Sequence, residues 1–286
     1  MASARLQRIV RVTRALVRAT HAAPTATVTA VMTAFAASTG RSATGCVLVA
    51  ATVLSGQLSV GWSNDYLDRF RDAAVGRTDK PIPAGDVAGE TVLLCAITAL
   101  LCCIPLSLAN GWRGGLVHLA GVAAAWCYNL GLKATLLSPL PYAIGFGALP
   151  SFVVLGLPGR PSPPLWLVGG GALLGVGAHF ANVLPDLAAD AATGVVGLPH
   201  RLGRTGSAFT SAGLLLAATL LLLLGPSGGS VAVKVVGMAS AVALVVVGST
   251  AALRRAAEGS AAMFRTAMAL ALLDVTLLLV RGGSLG

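Results

Sequence analysis

Charged residues are scarce in this sequence, and acidic residues are the scarcest of them. Of the 286 residues only 10% are charged, Asp and Glu together number 10, and 56% are hydrophobic. A soluble domain carries about 25% charged residues, so the composition excludes an ordinary soluble fold. The apolar residues also form runs of about 20 instead of the short alternating segments of an outer-membrane β-barrel. We therefore predict an all-α, polytopic membrane protein.

Cysteine is sparse as well, and its positions exclude two further kinds of site. All five cysteines lie inside apolar runs, and none forms the Cys-x-x-Cys pair of a metal site. We interpret them as small packing residues and not as disulfide partners or metal ligands. They are Cys46, Cys95, Cys102, Cys103 and Cys127. We also expect no cleavable signal peptide, because the first apolar run continues as a full span.

Nine apolar stretches have roughly the ~20 residues that a helix needs to cross a bilayer. They lie at 22–39, 44–62, 90–109, 114–131, 137–157, 164–183, 206–225, 231–252 and 262–280. We expect residues 1–21 to form a basic cytoplasmic arm and residues 22–286 to form a single transmembrane domain.

The net charge of +10 is explained by membrane topology and anionic lipid, without nucleic acid as a partner. If the N-terminus is cytoplasmic, fifteen Lys and Arg residues fall on the cytoplasmic side and five on the other, which agrees with the positive-inside rule. Nine of the ten acidic residues fall on the cytoplasmic side too, and only Asp274 lies within a span. Acidic residues barely affect insertion, so their sorting suggests that chemistry takes place on this side.

Two acidic clusters account for much of this sorting. Asp65, Asp68 and Asp72 are spaced three and four residues apart, so on a helix they would form one stripe, with Asn64 beside it. Far downstream, a second cluster follows another span with the same order of Asn and then acids. Its members are Asn182, Asp186 and Asp190.

Clustered carboxylates on a helix face are typical of Mg²⁺ sites, because Mg²⁺ prefers oxygen ligands and is often held by one or two carboxylates together with substrate phosphates. Two facing clusters could thus bind one diphosphate through shared metal ions, with nearby Lys and Arg as direct phosphate partners. An EF-hand does not fit the spacing. A pair of carboxylates acting as general acid and base, and a solvated helix end with no catalytic role, both remain open.

The chain resembles the UbiA-type intramembrane prenyltransferases at five places, which occur in the order of that family. Residues 64–72 and 186–190 resemble its two aspartate-rich motifs. Residues 77–85 resemble its Arg-x-x-Arg-Pro-x-x-x-Gly stretch, with a lysine at the second basic position. Residues 128–133 resemble its Tyr/Lys element, and residues 197–203 resemble the segment after its second motif.

The resemblance implies a helical bundle around a central cavity that opens to the cytoplasm and into lipid. It implies that Mg²⁺ ions on an isoprenyl diphosphate are positioned by Asn64, Asp65, Asp68, Asp186 and Asp190. Asp72 would hold a second metal ion or orient a basic group. The implied contacts to the substrate are Arg77, Lys80, Tyr128, Lys133, Asn182 and Arg201.

The implied reaction is transfer of the isoprenyl group to an aromatic or lipid-soluble acceptor at the cell membrane, with the active site facing the cytoplasm. A terpene cyclase is the alternative, because both reactions begin by ionising a prenyl diphosphate. A cation-coupled transporter fits less well, since transporters place such sites near the bilayer midplane and these acids lie at span ends. Asp274 and His179 could each line the cavity or serve packing alone.

Overall fold

The structure, a computed structural model, describes residues 2–159, 161–228, 230–254 and 260–280, and within these ranges it contains helices and no strand. Four residues that enter the charge count lie outside these ranges: Arg160, Arg255, Glu258 and Arg281. The helices are α1 (Ala2–Ala19), α2 (Ala22–Ser38), α3 (Ala43–Ala74), α4 (Gly89–Ala109), α5 (Trp112–Leu130), α6 (Leu140–Leu155), α7 (Leu165–Val183), α8 (Leu187–Ala192), α9 (Leu198–Leu224), α10 (Val231–Arg254) and α11 (Ser260–Val280). A short 3₁₀ turn, Leu132–Ala134, follows α5.

The predicted membrane helical bundle is confirmed, and each of the nine predicted spans corresponds to a helix. Among the described residues, six helices are long and apolar enough to cross a membrane, namely α3, α4, α7, α9, α10 and α11. The helices α2 and α6 are apolar but shorter. Helix α5 covers the remaining predicted span.

Two helices extend well beyond the predicted spans, and both extensions lead towards the acidic clusters. Helix α3 ends at Ala74 and not at 62, so it carries the whole first cluster. Helix α9 begins at Leu198 and not at 206, with a break at Gly203, whose φ of 68° favours glycine. The predicted spans end where the apolar runs end, whereas these extensions are helical segments of polar residues.

The bundle packs mainly between helices that follow one another in the chain, and α11 returns to contact α2, α7 and α9. One apolar core is formed by α2, α3, α6, α7 and α9 around Phe35, Val49 and Phe152. A second core is formed by α7, α9, α10 and α11 around Leu215 and Met263. These two cores fix the relative positions of α3 and α7, whose ends carry the two clusters.

The basic N-terminal arm is itself a helix, α1, and it is docked on the protein. Ala15 is buried in a small core with Val87 and Val92. The indole nitrogen of Trp62 donates a hydrogen bond to the carbonyl of Leu16 at 2.9 Å. The arm therefore lies against α3 close to the first acidic cluster.

Candidate active site

The first acidic cluster lies on the last three turns of α3, past the apolar part of that helix. Asp65 and Asp72 are buried, with 2% and 8% of their surface exposed. Asp68 is half-buried. Carboxylates with so little contact to water need positive partners or ligands, and the chain supplies positive partners from three different segments.

Lys80, in the loop between α3 and α4, folds back onto Asp65. Its Nζ donates to Asp65 Oδ1 at 2.6 Å. His21 lies beside this pair, with its Nε2 3.6 Å from the same Asp65 oxygen and 3.4 Å from the lysine nitrogen. His21 has a φ of 54°, a conformation that is uncommon outside glycine and frequent at functional sites. The junction between α1 and α2 thus contributes a side chain to the first cluster.

Asp68 is bound by cations from both sides. Lys133, in the 3₁₀ turn after α5, donates to Oδ1 at 2.5 Å and to Oδ2 at 2.6 Å. Arg71, one turn along α3, forms an ion pair with the same carboxylate. Asn64 Nδ2 also donates to Asp68 Oδ2 at 3.1 Å. The polar side chains of α3 are therefore tied to the turn that follows α5.

Lys133 is buried, with 7% of its surface exposed. Burial is the main reason that its pKa falls to about 7, and the charge of Arg71 acts in the same direction. Asp190 and Asp72 act in the opposite direction and favour the charged amine. The charge of Lys133 thus depends on carboxylates from both acidic clusters.

The second cluster is not on a continuous helix. Helix α7 ends at Val183, the chain turns at Pro185, and Asp186 lies in that turn. Asp190 follows on the six-residue helix α8, and its backbone N–H donates to the carbonyl of Asp186 at 2.8 Å. The two carboxylates are therefore held within one turn of each other.

Arg77 connects the end of α3 to the second cluster. Its Nη1 donates to Asp186 Oδ1 at 3.1 Å, across 109 positions of sequence. Its other guanidinium nitrogens donate to Asp79 at 3.0 and 3.3 Å. Hydrogen bonding to Asp79 is the main reason that the pKa of Arg77 rises above its ordinary value, and the same contact lowers the pKa of Asp79. Arg77 is anchored at the end of α3, where its N–H donates to the carbonyl of Asp72 at 2.9 Å.

Asp190 is paired with a histidine. His200 Nε2 lies 3.5 Å from Asp190 Oδ2, and His200 Nδ1 accepts a hydrogen bond from the N–H of Gly197 at 3.1 Å. With Nδ1 accepting, Nε2 carries the proton, and it lies near the carboxylate without forming a hydrogen bond. Burial and the neighbouring charge of Asp186 raise the pKa of Asp190 to about 6. The cations that oppose this rise are Lys133, Arg71 and Arg77.

An aromatic cluster adjoins the acidic groups. Its members are Tyr128 of α5, Tyr142 and Phe146 of α6, and His179 of α7. The ring centroids of Tyr128 and Tyr142 are 5.2 Å apart, and those of Tyr142 and His179 are 4.8 Å apart. Asn182 Nδ2 donates to the hydroxyl of Tyr142 at 3.4 Å. Tyr128 and Asn182, both predicted substrate contacts, thus lie in one aromatic wall.

Arg201 and Asp274 lie apart from these contacts, and His179 has one polar contact besides its ring neighbours. Arg201 is exposed, and among the described residues its side chain meets no acidic group of either cluster. His179 Nε2 is 3.1 Å from Ser138 Oγ, a contact that also serves packing. Asp274 is 3% exposed within α11, next to the buried Thr219 of α9.

Comparison with known proteins identifies the family. Residues 26–273 match the model of the UbiA prenyltransferase family. The chain belongs to the UbiA prenyltransferase family. With six helices suited to crossing a bilayer among the described residues, it is an integral membrane protein of that family.

Related proteins support the assignment to this family. The chain is 34% identical over 165 residues to the bacteriochlorophyll synthase 33 kDa chain of Cereibacter sphaeroides, a match over 53% of each protein. The chain therefore aligns with about half the length of that relative. A UbiA homolog from Aeropyrum pernix K1 shares the fold, with a TM-score of 0.72 and 18% identity over 89% of this chain and 97% of that one. A UbiA homolog from Archaeoglobus fulgidus bound to GPP and Mg²⁺ also shares it, with a TM-score of 0.66 and 14% identity over 92% of this chain and 99% of that one.

Some contacts of this UbiA protein were not predicted from its sequence. His21 gave no signal because it is 44 residues from Asp65 and outside every motif. Arg71 lies inside the first motif, and its spacing of three from Asp68 could have predicted their ion pair. His200 lies next to Arg201 in a segment that resembled the family, but only the structure distinguishes the inward histidine from the outward arginine.

The donor set fits a hard divalent cation. It consists of carboxylate and amide oxygens, which are the ligands that Mg²⁺ prefers. Asp65 Oδ2 and Asp72 Oδ2 are buried and have no hydrogen-bond partner within the described chain. Within the described residues no three acidic, histidine or cysteine side chains converge as a metal-binding group. Asp65, Asp68 and Asp186 are each paired with a basic residue.

Proposed function

We propose that this protein is an Mg²⁺-dependent intramembrane prenyltransferase, which transfers an isoprenyl group from its diphosphate to an aromatic or lipid-soluble acceptor. The observation that carries the proposal is the meeting of two acidic clusters, from α3 and from the α7–α8 turn, around cations of two other segments, the loop between α3 and α4 and the turn after α5. Arg77 links the clusters, because its backbone N–H is bound to the carbonyl of Asp72 and its side chain is bound to Asp186. The electrostatic coupling of Lys133 to Asp190 links them a second time.

The paired charges suit a site that alternates between carboxylate and phosphate partners. Lys80, Lys133 and Arg77 each donate to an aspartate at 2.6, 2.5 and 3.1 Å. A diphosphate offers stronger acceptors, so these donors would turn to its oxygens and release the carboxylates. Asp65, Asp68, Asp186 and Asp190 would then hold the metal ions, with Asn64 as an amide ligand and Asp72 as a second metal or orienting group.

Bound Mg²⁺ would neutralise the charge that develops on the departing diphosphate. The protein's own cations add to this effect from fixed positions, which is where electrostatic stabilisation of a leaving group is strongest. Lys133 is suited to the role because its amine is buried and lies beside Asp68, one of the aspartates that would hold the metal ions. Arg201, which is exposed, would meet only the outer part of a bound diphosphate.

The aromatic cluster would form the wall beside the allylic carbon. Tyr128 and Tyr142 present ring surface there, and Asn182 fixes the hydroxyl of Tyr142. Apolar rings keep water away from an allylic cation, so the acceptor can attack first. The proposal agrees with the relative named for bacteriochlorophyll synthesis and with the relative of the same fold bound to GPP and Mg²⁺.

The charge sorting supports a placement in the membrane. We place the protein in the cell membrane with α1 and the active site facing the cytoplasm, since the basic residues concentrate on that side. Both clusters lie at helix ends, which favours an interfacial reaction over transport through the bilayer centre.

An assay of diphosphate release tests the function. Purified protein in detergent is incubated with Mg²⁺ and prenyl diphosphates of several lengths, with and without aromatic or lipid acceptors. Release that requires acceptor, with a prenylated product by mass spectrometry, is the expected result. A cyclic product without acceptor would show a terpene cyclase instead, and no release under any condition would overturn both.

Matched variants connect the activity to the site. Asp68→Asn and Asp186→Asn keep the shape of each side chain and remove its charge, so release should fall by about 100-fold or more. Glu90→Gln is the control, because Glu90 is an exposed acid at the start of α4 outside both clusters. Full activity in either aspartate variant would contradict the assignment of that cluster.

A further inference from the structure

The outer surface of α1 combines exposed apolar residues with arginines. Leu6, Val10 and Val17 are 63%, 40% and 53% exposed. Their spacings of four and seven place them on one face of the helix. The adjacent face carries Arg11, Arg14 and Arg18, which are also exposed. The helix contains no acidic residue.

The rest of α1 is packed on the protein, which leaves this surface open. The inner side of α1 is occupied, since Ala15 is buried and Leu16 accepts a bond from Trp62. Only two residues separate α1 from α2, an apolar helix at the first predicted span. A helix with an apolar face and an arginine-rich face at such a junction is of the kind that lies in the membrane interface.

Helix α1 also holds the loop between α3 and α4, residues 75–88. Arg18 Nη1 donates to Asp86 Oδ2 at 3.2 Å, and Arg18 Nη2 donates to the carbonyl of Asp79. Asp79 in turn pairs with Arg77, and the next residue in the chain is Lys80. Arg77 and Lys80, the two cations that this loop brings to the acidic clusters, are thus linked to α1 through Asp79.

We propose that α1 binds anionic phospholipid headgroups at the membrane surface and that this contact holds the 75–88 loop in place over the site. Charge complementarity identifies the occupant, because three exposed arginines that share a single carboxylate, Asp86, leave an excess of positive charge that favours a negative surface. The neighbouring apolar face identifies a bilayer in preference to a free anion, because a dissolved phosphate would leave Leu6 and Val10 in water. Asp86 is the one carboxylate facing this surface among the described residues, and Arg18 already pairs with it.

Hydrogen–deuterium exchange of the full chain in nanodiscs tests the proposal. One set of discs contains only zwitterionic lipid, and the other contains about one third anionic lipid. Each arginine near an anionic surface changes surface affinity about fivefold, so amides of residues 5–18 should exchange at least tenfold more slowly in anionic discs. Amides of residues 77–86 should slow as well, and high salt should reverse both effects.

Variants separate the lipid contact from general stability. Arg11→Gln combined with Arg14→Gln removes two exposed charges and should abolish the protection by anionic lipid. Arg113→Gln combined with Lys234→Gln removes the same charge from other parts of the chain and should leave it intact. The exchange of α7 amides serves as a measure of folding in every variant.

Four results would overturn the proposal. Equal exchange of α1 in the two lipid mixtures, or full protection in the Arg11/Arg14 double variant, would remove the lipid contact. Inorganic phosphate reproducing the protection in zwitterionic discs would assign the arginines to a free anion. Protection of α1 without protection of the loop would refute the coupling to the site.

Discussion

Replacing Lys133 with methionine tests how the site divides its charges between stability and catalysis. Lys133 donates to both oxygens of Asp68, at 2.5 and 2.6 Å. Methionine has a similar length and no charge, so Lys133→Met removes these two bonds and leaves the packing volume. Asp68 keeps Arg71 and Asn64 as partners.

The loss of stability should be modest. Removing one partner of a buried ion pair costs about 3–5 kcal/mol when the other charge is left alone. Asp68 is not left alone, so the cost should be about 1–2 kcal/mol, near the value of one hydrogen bond to a charged group. In a chain of this size that corresponds to a fall in Tm of roughly 2–8 °C. The loss of activity should be larger, because a fixed cation on a leaving group contributes about 100-fold to 1,000-fold in rate.

Thermal unfolding in detergent and the kcat/KM for diphosphate release measure the two effects separately. Lys234→Met, the same substitution on α10, is the control and should change neither quantity. If Lys133→Met kept kcat/KM within about threefold of the wild type, its effect on the barrier would be under 1 kcal/mol. Lys133 would then be a structural partner of Asp68 and not part of the reaction.

Three further predictions concern the join between clusters, the packing of α3 and the metal. Arg77→Gln and Asp186→Asn together should lower Tm by less than the sum of the two single effects. The coupling should be about 0.5–1 kcal/mol, because both side chains are partly exposed. Strictly additive effects would contradict the contact. In Gly61→Ala the new Cβ would lie 2.7 Å from the carbonyl oxygen of Thr20, so the free energy of unfolding should fall by about 1–3 kcal/mol. An unchanged Tm would contradict this close approach. A chelator should abolish diphosphate release and added Mg²⁺ should restore it; release that persisted would remove the metal from the proposal.

The membrane spans could be predicted from the sequence because the length and polarity of an apolar run determine whether a helix crosses the bilayer. The ends of those helices could not. Helix α3 continues from the predicted end at 62 to Ala74 because its polar turns pack against the 75–88 loop and α1. An apolar run indicates which residues lie in the membrane, and it does not indicate where the helix ends.

The stripe formed by the first cluster could also be predicted, since residues three and four apart share a helix face. The residues that bind its aspartates could not be predicted. Lys133 reaches Asp68 across 65 positions, and this contact depends on how α5 packs beside α3. His21 reaches Asp65 only because the α1–α2 junction approaches α3 closely. Such contacts come from tertiary packing, for which local spacing contains no signal.

In the proposed reaction both acidic clusters hold one diphosphate. Binding of an isoprenyl thiodiphosphate, which ionises slowly, measures this directly by calorimetry with Mg²⁺ in detergent. The wild type and Glu90→Gln should bind with equal affinity, while Asp68→Asn and Asp190→Asn should each weaken binding by about tenfold or more, the value of one charged contact. If Asp190→Asn bound as tightly as the wild type, the second cluster would lie outside the diphosphate site and the account would be wrong.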